Sequence, residues 1–140
     1  PGPVGVGVGE DAKASLAVGF AFEEARRRGA AVNAVRAWRC PAHESTDHPL
    51  LAGEPARLHE QQAVEALETA LQDAPEDVEV ERRTVEGPAR AVLVAASQDA
   101  DLVVLGARRR ARHFGLQLGR VAHGVLHHSA CPVVIVPEPA

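Results

Sequence analysis

Five residues constrain this chain more than any others: Asp101-Leu102-Val103-Val104-Leu105. After the acidic first residue, every position is apolar. Successive side chains of a strand point to opposite faces, so a strand of this composition must be covered on both. That is the condition of a central strand in a parallel sheet. Parallel strands cannot be joined by tight turns; each needs a crossover, usually a helix. The rest of the chain is therefore expected to alternate strands with helices.

It does. Val4 to Val8 reads as a short strand in which valine alternates with glycine, the bare positions suiting close approach of a helix or ligand. Asp11 is a suitable N-cap for a helix over Ala12 to Arg28. Ala17, Ala21 and Ala25 recur there at helical spacing with Leu16 and Phe20 beside them, and Gly29 supplies the stop. Ala31 to Trp38 is a second strand. Cys40 to Pro55 is polar and carries Pro41, Pro49 and Pro55, the composition of a surface loop. A second helix is expected from Pro55 to Asp73, burying Ala63, Leu67, Ala70 and Leu71. Val78 to Val85 alternates valine with charge, as an edge strand does. Gly87-Pro88 opens a third helix with Val92, Leu93 and Ala96 on its core face. After Asp101 to Leu105, Gly119 starts a fourth helix packed by Val121, Ala122, Val125 and Leu126. Cys131 to Pro137 is a last strand bracketed by prolines. This order predicts a single α/β domain over residues 1–140. Its five-stranded parallel sheet is covered by helices on both faces through right-handed crossovers.

Bulk properties narrow the partners. A chain of 140 residues with 46% apolar and 24% charged side chains can bury one core. Its net charge of −4 makes any basic patch local. No signal peptide and no membrane-length apolar run is evident. Cys40 and Cys131 have neither CxxC nor zinc-finger spacing, which suits free thiols in a reducing cytoplasm.

Ligands of such sheets bind beyond the carboxyl ends of the strands, where the strand order reverses. The first and fourth strands are the expected neighbours there, with Gly9-Glu10-Asp11 and Gly106-Ala107-Arg108 at their ends. The stretch Leu105 to Arg120 continues from the second of these with three glycines and five arginines.

At these residues the sequence resembles the universal stress protein family, over essentially its whole length. Gly106, Arg109, Gly119 and Arg120 keep the spacing of the family's nucleotide motif, in which glycine, glycine, glycine and then serine or threonine stand at these places. The ending HHSACPVVIVP and the segment AFEEARRRGAAVNAVRAW are similar to the family's last strand and to its first helix and second strand. The resemblance implies an adenine nucleotide alpha hydrolase-like sheet of order 3-2-1-4-5, with no catalytic residue and no metal. It implies ATP or another adenine nucleotide as ligand, held by Val8, Gly9, Glu10, Val35, Gly106, Arg109, Gly119 and Arg120. It also implies a homodimer through Val133, Val134, Ile135 and Val136 of the last strand, or a tandem pseudo-dimer where the chain is half of a longer protein.

Three positions depart from the family pattern. Gly9 stands where the nucleotide-binding branch carries an aspartate, with Glu10 or Asp11 as stand-ins. Arg109 puts a long side chain where bare backbone meets phosphate, and Arg120 replaces a small hydroxyl. Guanidinium still suits phosphate, and the Gly119 amides remain an anion site. A close-fitting backbone pocket tolerates added volume poorly, so the steric effect outweighs the charge. A degraded nucleotide site is the expectation, with a shifted pose or a small anion led by Arg109, Arg120 and the Gly119 amides.

Other chemistries are weaker. Gly7-Val8-Gly9-Glu10-Asp11-Ala12 fits the loose dinucleotide fingerprint, but no acid follows near the end of the second strand, where Val35, Arg36 and Arg39 lie. The basic run Arg108, Arg109, Arg110, Arg112, His113 has only Phe114 for stacking, so nucleic acid is not expected. His123 and His127 share a helix face with His128 and Cys131 near, but two good ligands do not close a zinc site. His43 and His48 lie in the proline-bearing loop and are expected to be exposed. Ser15, Ser45, Ser97 and Ser129 lack a nucleophile setting, and Cys131 before Pro132 reads as a packing thiol. Three functions remain. The first is a non-catalytic stress-response regulator with a degraded nucleotide site. The second is a purely structural dimerisation module whose arginines fill the cleft. The third is a slow ATPase, which lacks an evident general base or Mg²⁺ ligand set.

Overall fold

Val103 and Val104, adjacent in sequence, are 1% and 0% exposed and belong to two different cores. That is the two-faced burial the sequence demands. The computed structural model describes residues 2–9, 15–39, 53–108 and 119–138. Along the chain these form β1 (Val4–Gly7), α1 (Leu16–Arg28), β2 (Val32–Trp38), α2 (Gly53–Ala70), β3 (Val80–Glu86), α3 (Ala89–Ser97), β4 (Leu102–Arg108), α4 (Arg120–His128) and β5 (Val133–Glu138). The sheet is parallel with order β3-β2-β1-β4-β5, as expected. β3, with its alternating charge, does lie at an edge.

One face packs α1 and α2 against Val4, Val6, Val32, Ala34, Leu102 and Val104. The other packs α3 and α4 against Val35, Val103 and Leu105. The glycine of β1 at position 7 is explained by packing. A Cβ there would come within 2.8 Å of Leu105 Cδ2 and 3.2 Å of Leu93 Cδ2, so the bare backbone admits α3 rather than a ligand. At the far end of α1, Gly29 takes φ 64° and its N–H reaches back to the last-turn carbonyls, the left-handed stop expected of it.

Several boundaries differ from expectation. α1 begins at Leu16, not Ala12, because Ser15 is extended and its Oγ accepts from the Val18 amide. The expected cap Asp11 lies outside the described residues, as do the central part of the proline-bearing loop with His43 and His48, and the basic run from Arg109 through His113. The buried stripe of α1 is Ala17, Val18, Ala21, Phe22 and Ala25, while Leu16 and Phe20 face outward, 53% and 37% exposed. α2 begins at Gly53 and includes Pro55, since first-turn amides need no intrahelical acceptor. It ends at Ala70, although Leu71 still donates to the Leu67 carbonyl and is buried. Pro88 occupies the N-cap of α3 rather than its first turn. β1 stops at Gly7, before Val8, and β2 and β3 begin at Val32 and Val80. β4 and β5 run further than expected, to Arg108 and Glu138.

Gly19 lies in mid-α1 with nothing within 4 Å of a built Cβ and an ordinary helical backbone. Gly19→Ala is expected to raise unfolding free energy by about 0.5–1 kcal/mol, since glycine is the more costly residue in a helix interior. A urea titration with an unchanged or lowered midpoint would contradict this.

Candidate functional site

The carboxyl ends of β1 and β4 lie side by side, at the place where the chain order in the sheet reverses. β1 leaves toward α1 on one face, and β4 leads to α4 on the other. A crevice between such ends is where open α/β sheets bind ligands.

The expected binding residues divide into two groups. Val8 and Val35 are buried, 6% and 2% exposed, and they pack in the cores of opposite faces. They brace the floor of the crevice, and the Val8 amide donates to the Val35 carbonyl at 2.9 Å. Gly9, Gly106, Gly119 and Arg120 are exposed. Gly9 follows Val8 and meets nothing within 4 Å of a built Cβ, so the position where the family pattern has an acid is open space. Glu10 and Arg109 lie outside the described residues.

Gly106 is not in the loop after β4 but within the strand, paired with Val136 of β5. Its bare face is filled. A Cβ at Gly106 would stand 2.8 Å from both Cγ and Oε2 of Glu138. The Glu138 carboxylate also receives the Ser15 hydroxyl at 2.6 Å on Oε2 and the Leu16 amide at 2.6 Å on Oε1. A side chain from β5 thus crosses Gly106 and caps the amino end of α1, where peptide dipoles favour negative charge.

Glu138 was missed by the sequence reading, which closed the last strand at Pro137. A proline can sit in an edge strand when its missing N–H faces outward. Side-chain alternation then puts Glu138 on the same face as Val136, and Val134 and Val136 pack against the α1 face of the sheet. Those two rules together were the available signal.

The amino end of α4 is in the opposite condition. Gly119 is its N-cap, extended at φ −66° and ψ 176°; it makes no side-chain cap bond, and the first turn carries no acid. A Cβ on Gly119 would meet nothing within 4 Å. Arg120 begins the helix and is exposed. Among the described residues, the first turn of α4 therefore offers uncapped N–H groups beside a cation, the arrangement that receives phosphate or carboxylate.

At the other side of β1, Arg36 of β2 donates from Nη1 to the Val8 carbonyl at 3.2 Å. Its Nε is buried and has no partner among the described residues. Further along α4, the His123 and His127 rings lie 5.4 Å apart. Among the described residues no group of three or more histidine, cysteine or acidic side chains is placed to hold a metal. Cys131 is half-buried in a turn where the Ser129 hydroxyl donates to its carbonyl and accepts from its amide. Among the described residues, no helix is long and apolar enough to cross a membrane.

These features define a doubly wound α/β domain with an open, cationic helix terminus at its sheet reversal. The chain matches the Universal stress protein family across residues 2–137. A universal stress protein of Mycobacterium tuberculosis is 36% identical over 140 residues, which cover 97% of this chain and 45% of the relative. The chain thus spans about half the length of the curated relatives it matches. Among solved structures, UspA of Lactobacillus plantarum superposes with a TM-score of 0.71 at 19% identity, over 97% of this chain and 99% of that one. A universal stress protein in complex with cAMP gives 0.56 at 25% identity, over 99% of each chain. One from Archaeoglobus fulgidus in complex with dAMP gives 0.58 at 24%, over 97% and 98%. The chain belongs to the universal stress protein family.

The Glu138 cap carries a stability consequence. Glu138→Ala removes both bonds to the start of α1 and is expected to cost about 1 kcal/mol, the usual worth of an N-terminal cap with its charge. Arg120→Ala, which breaks no bond among the described residues, serves as the neutral reference. Equal denaturant midpoints for the two variants would contradict the assignment.

Proposed function

We propose that this chain is a non-catalytic, stress-response regulatory domain that binds an adenine nucleotide weakly at the carboxyl edge of its sheet and pairs with a second domain of its kind. One observation carries the nucleotide reading: the amino end of α4 is uncapped, acid-free and flanked by Arg120. Universal stress proteins of the same fold have been solved with cAMP and dAMP, which supports an adenine nucleotide over other anions. The phosphate lies on the first amides of α4, and Arg120 supplies the charge that the family's hydroxyl does not. The nucleoside lies toward β1 and β2, over the floor braced by Val8 and Val35. Of the two helices that follow the neighbouring strands β1 and β4, α1 has its amide terminus already occupied by Glu138, which leaves the terminus of α4 to receive the phosphate.

A side-chain guanidinium is a longer and less fixed partner than a preorganised pocket, so the affinity is modest. A dissociation constant in the high micromolar to millimolar range corresponds to about −5 to −4 kcal/mol. Calorimetry with AMP, ADP and ATP is expected to give binding in that range. Arg120→Ala is expected to weaken ATP by about fivefold, a loss of about 1 kcal/mol for one exposed charge-assisted contact. No heat and no thermal shift at millimolar nucleotide would reject the site.

A purely structural role is the second reading, and Glu138 favours it. Its carboxylate over Gly106 and in the α1 terminus supplies from within the chain an anion that a ligand would otherwise bring. The same calorimetry separates the two, since an internally filled module releases no heat with any nucleotide.

Pairing rests on β5. It is an edge strand of Val133, Val134, Ile135 and Val136, all half-buried, with β4 on one side and no described strand on the other. An apolar strand edge invites another strand. A second copy covers it by a two-fold operation, and a second domain in tandem does so equally well. The doubled length of the curated relatives accommodates the tandem arrangement. Val134→Lys is expected to lower the mass seen by light scattering from dimer to monomer. A wild-type monomer at every concentration, unchanged by the substitution, would remove the homodimer.

A further inference from the structure

Arg36 is a cation of the sheet's carboxyl edge that the proposed phosphate contact does not use. It lies in β2 opposite Thr84 of β3, one residue past the Gly7–Val35 pairing that closes β1. Its Nη1 donates to the carbonyl of Val8, the residue just before the open position at Gly9. Its Nε is buried without a partner among the described residues. A guanidinium has five N–H donors and no acceptor. A buried donor left unpaired is destabilising, and is an expected place for an anion to bind.

The location decides what kind of anion. In doubly wound sheets that bind dinucleotides, the end of the second strand is where the ribose is read. An acid there accepts from the ribose hydroxyls, whereas an arginine accommodates a phosphate on the ribose. Gly9 has no side chain, and Arg36, which reaches the carbonyl of the residue before it, is donor-only. A ribose phosphate would find a planar fork held in place by the Val8 carbonyl.

We infer that Arg36 is a specificity-determining residue that selects nucleotides carrying a phosphate on the ribose 2′ or 3′ oxygen in addition to the 5′ phosphate. This rests on the nucleotide reading above, with the 5′ phosphate on the α4 amides and the ribose toward β2. The two anion-binding points then flank the β1 end, one at Arg36 and one at Gly119 and Arg120. No bond is made or broken; the consequence is selective binding.

The test compares four ligands by calorimetry on the whole chain: AMP, ADP, adenosine 2′,5′-bisphosphate and adenosine 3′,5′-bisphosphate. ADP and the bisphosphates carry the same number of phosphates, so their difference reports phosphate position and not total charge. One of the two bisphosphates is expected to bind about tenfold more tightly than ADP, the usual effect of one charge-assisted contact. Arg36→Gln is expected to bring that ratio close to one, and Arg36→Lys to restore part of it. Thermal melts confirm that each variant is folded. If the bisphosphates bind no better than ADP to the wild-type chain, the inference is overturned whatever the variants do. Should AMP and ADP bind with no such preference, Arg36 loses this role and the nucleotide reading stands. Absence of binding by all four ligands removes both. A preference that survives Arg36→Gln in a folded variant also overturns the assignment to Arg36.

Discussion

Everything in this domain follows from burying parallel strands on both faces. Val103 and Val104 cannot both be removed from water unless one layer of helices covers each side of the sheet. Parallel pairing forces every connection to cross the sheet through a helix, so all strands point the same way. Their carboxyl ends then gather along one edge, each followed by a turn into a helix amino end. The crevice is thus a product of core packing before any ligand is considered. Its chemistry is set by the few residues at those ends, which the core leaves free to vary.

At that edge the chain treats its two principal helix termini differently. The dipole of α1 is met by Ser15 from its own sequence and by Glu138 from the last strand. The dipole of α4 meets a glycine and an arginine. A carboxylate held against α1 lowers the electrostatic attraction of that side for a second anion, while Arg120 and the bare amides raise it at α4. Glu138 also ties the two ends of the domain together, because β5 is the edge strand and α1 follows the central one. Pairing along β5 and order at the start of α1 therefore share a residue. Two short hydrogen bonds link the two places directly.

Most of this architecture was legible in the sequence because it depends on periodic burial. The apolar run of β4, the charge alternation of β3 and the alanines of α1 each report a face, and each face is where it was expected. Periodicity also misplaced Val121 and Leu126, which were expected on the packed face of α4 and are 37% and 42% exposed, while Ala122 and Val125 are buried; the other errors lie where periodicity is silent. Ala17, Ala21 and Ala25 have apolar neighbours on both sides, and sequence spacing alone does not say whether the core lies toward Val18 and Phe22 or toward Leu16 and Phe20. The structure puts it toward the former. The start of α1 was misplaced because Asp11 and Ser15 are both good caps, and only the position of Glu138, more than a hundred residues away, favours the second. Gly106 looked like a loop glycine because glycine is rare in strands, yet its bare face is needed inside the sheet to admit the Glu138 side chain. The role of Glu138 required the pairing of Arg108 with Glu138, a long-range fact that no local pattern states.

The arginines show why sign and volume have to be weighed at each position separately. At a pocket glycine an arginine removes space that backbone amides need, so the resemblance to a phosphate cradle weakens as side chains are added. At the start of α4 the same residue type projects into open solvent, where it obstructs nothing and adds charge to an available anion site. At β2 it is different again: Arg36 is pinned by a backbone carbonyl with one buried donor unspent. A fixed, donor-only group beside an empty glycine position reverses the polarity expected where ribose hydroxyls are read. In the proposed binding mode both places donate, Arg36 at one and the Gly119 amides at the other.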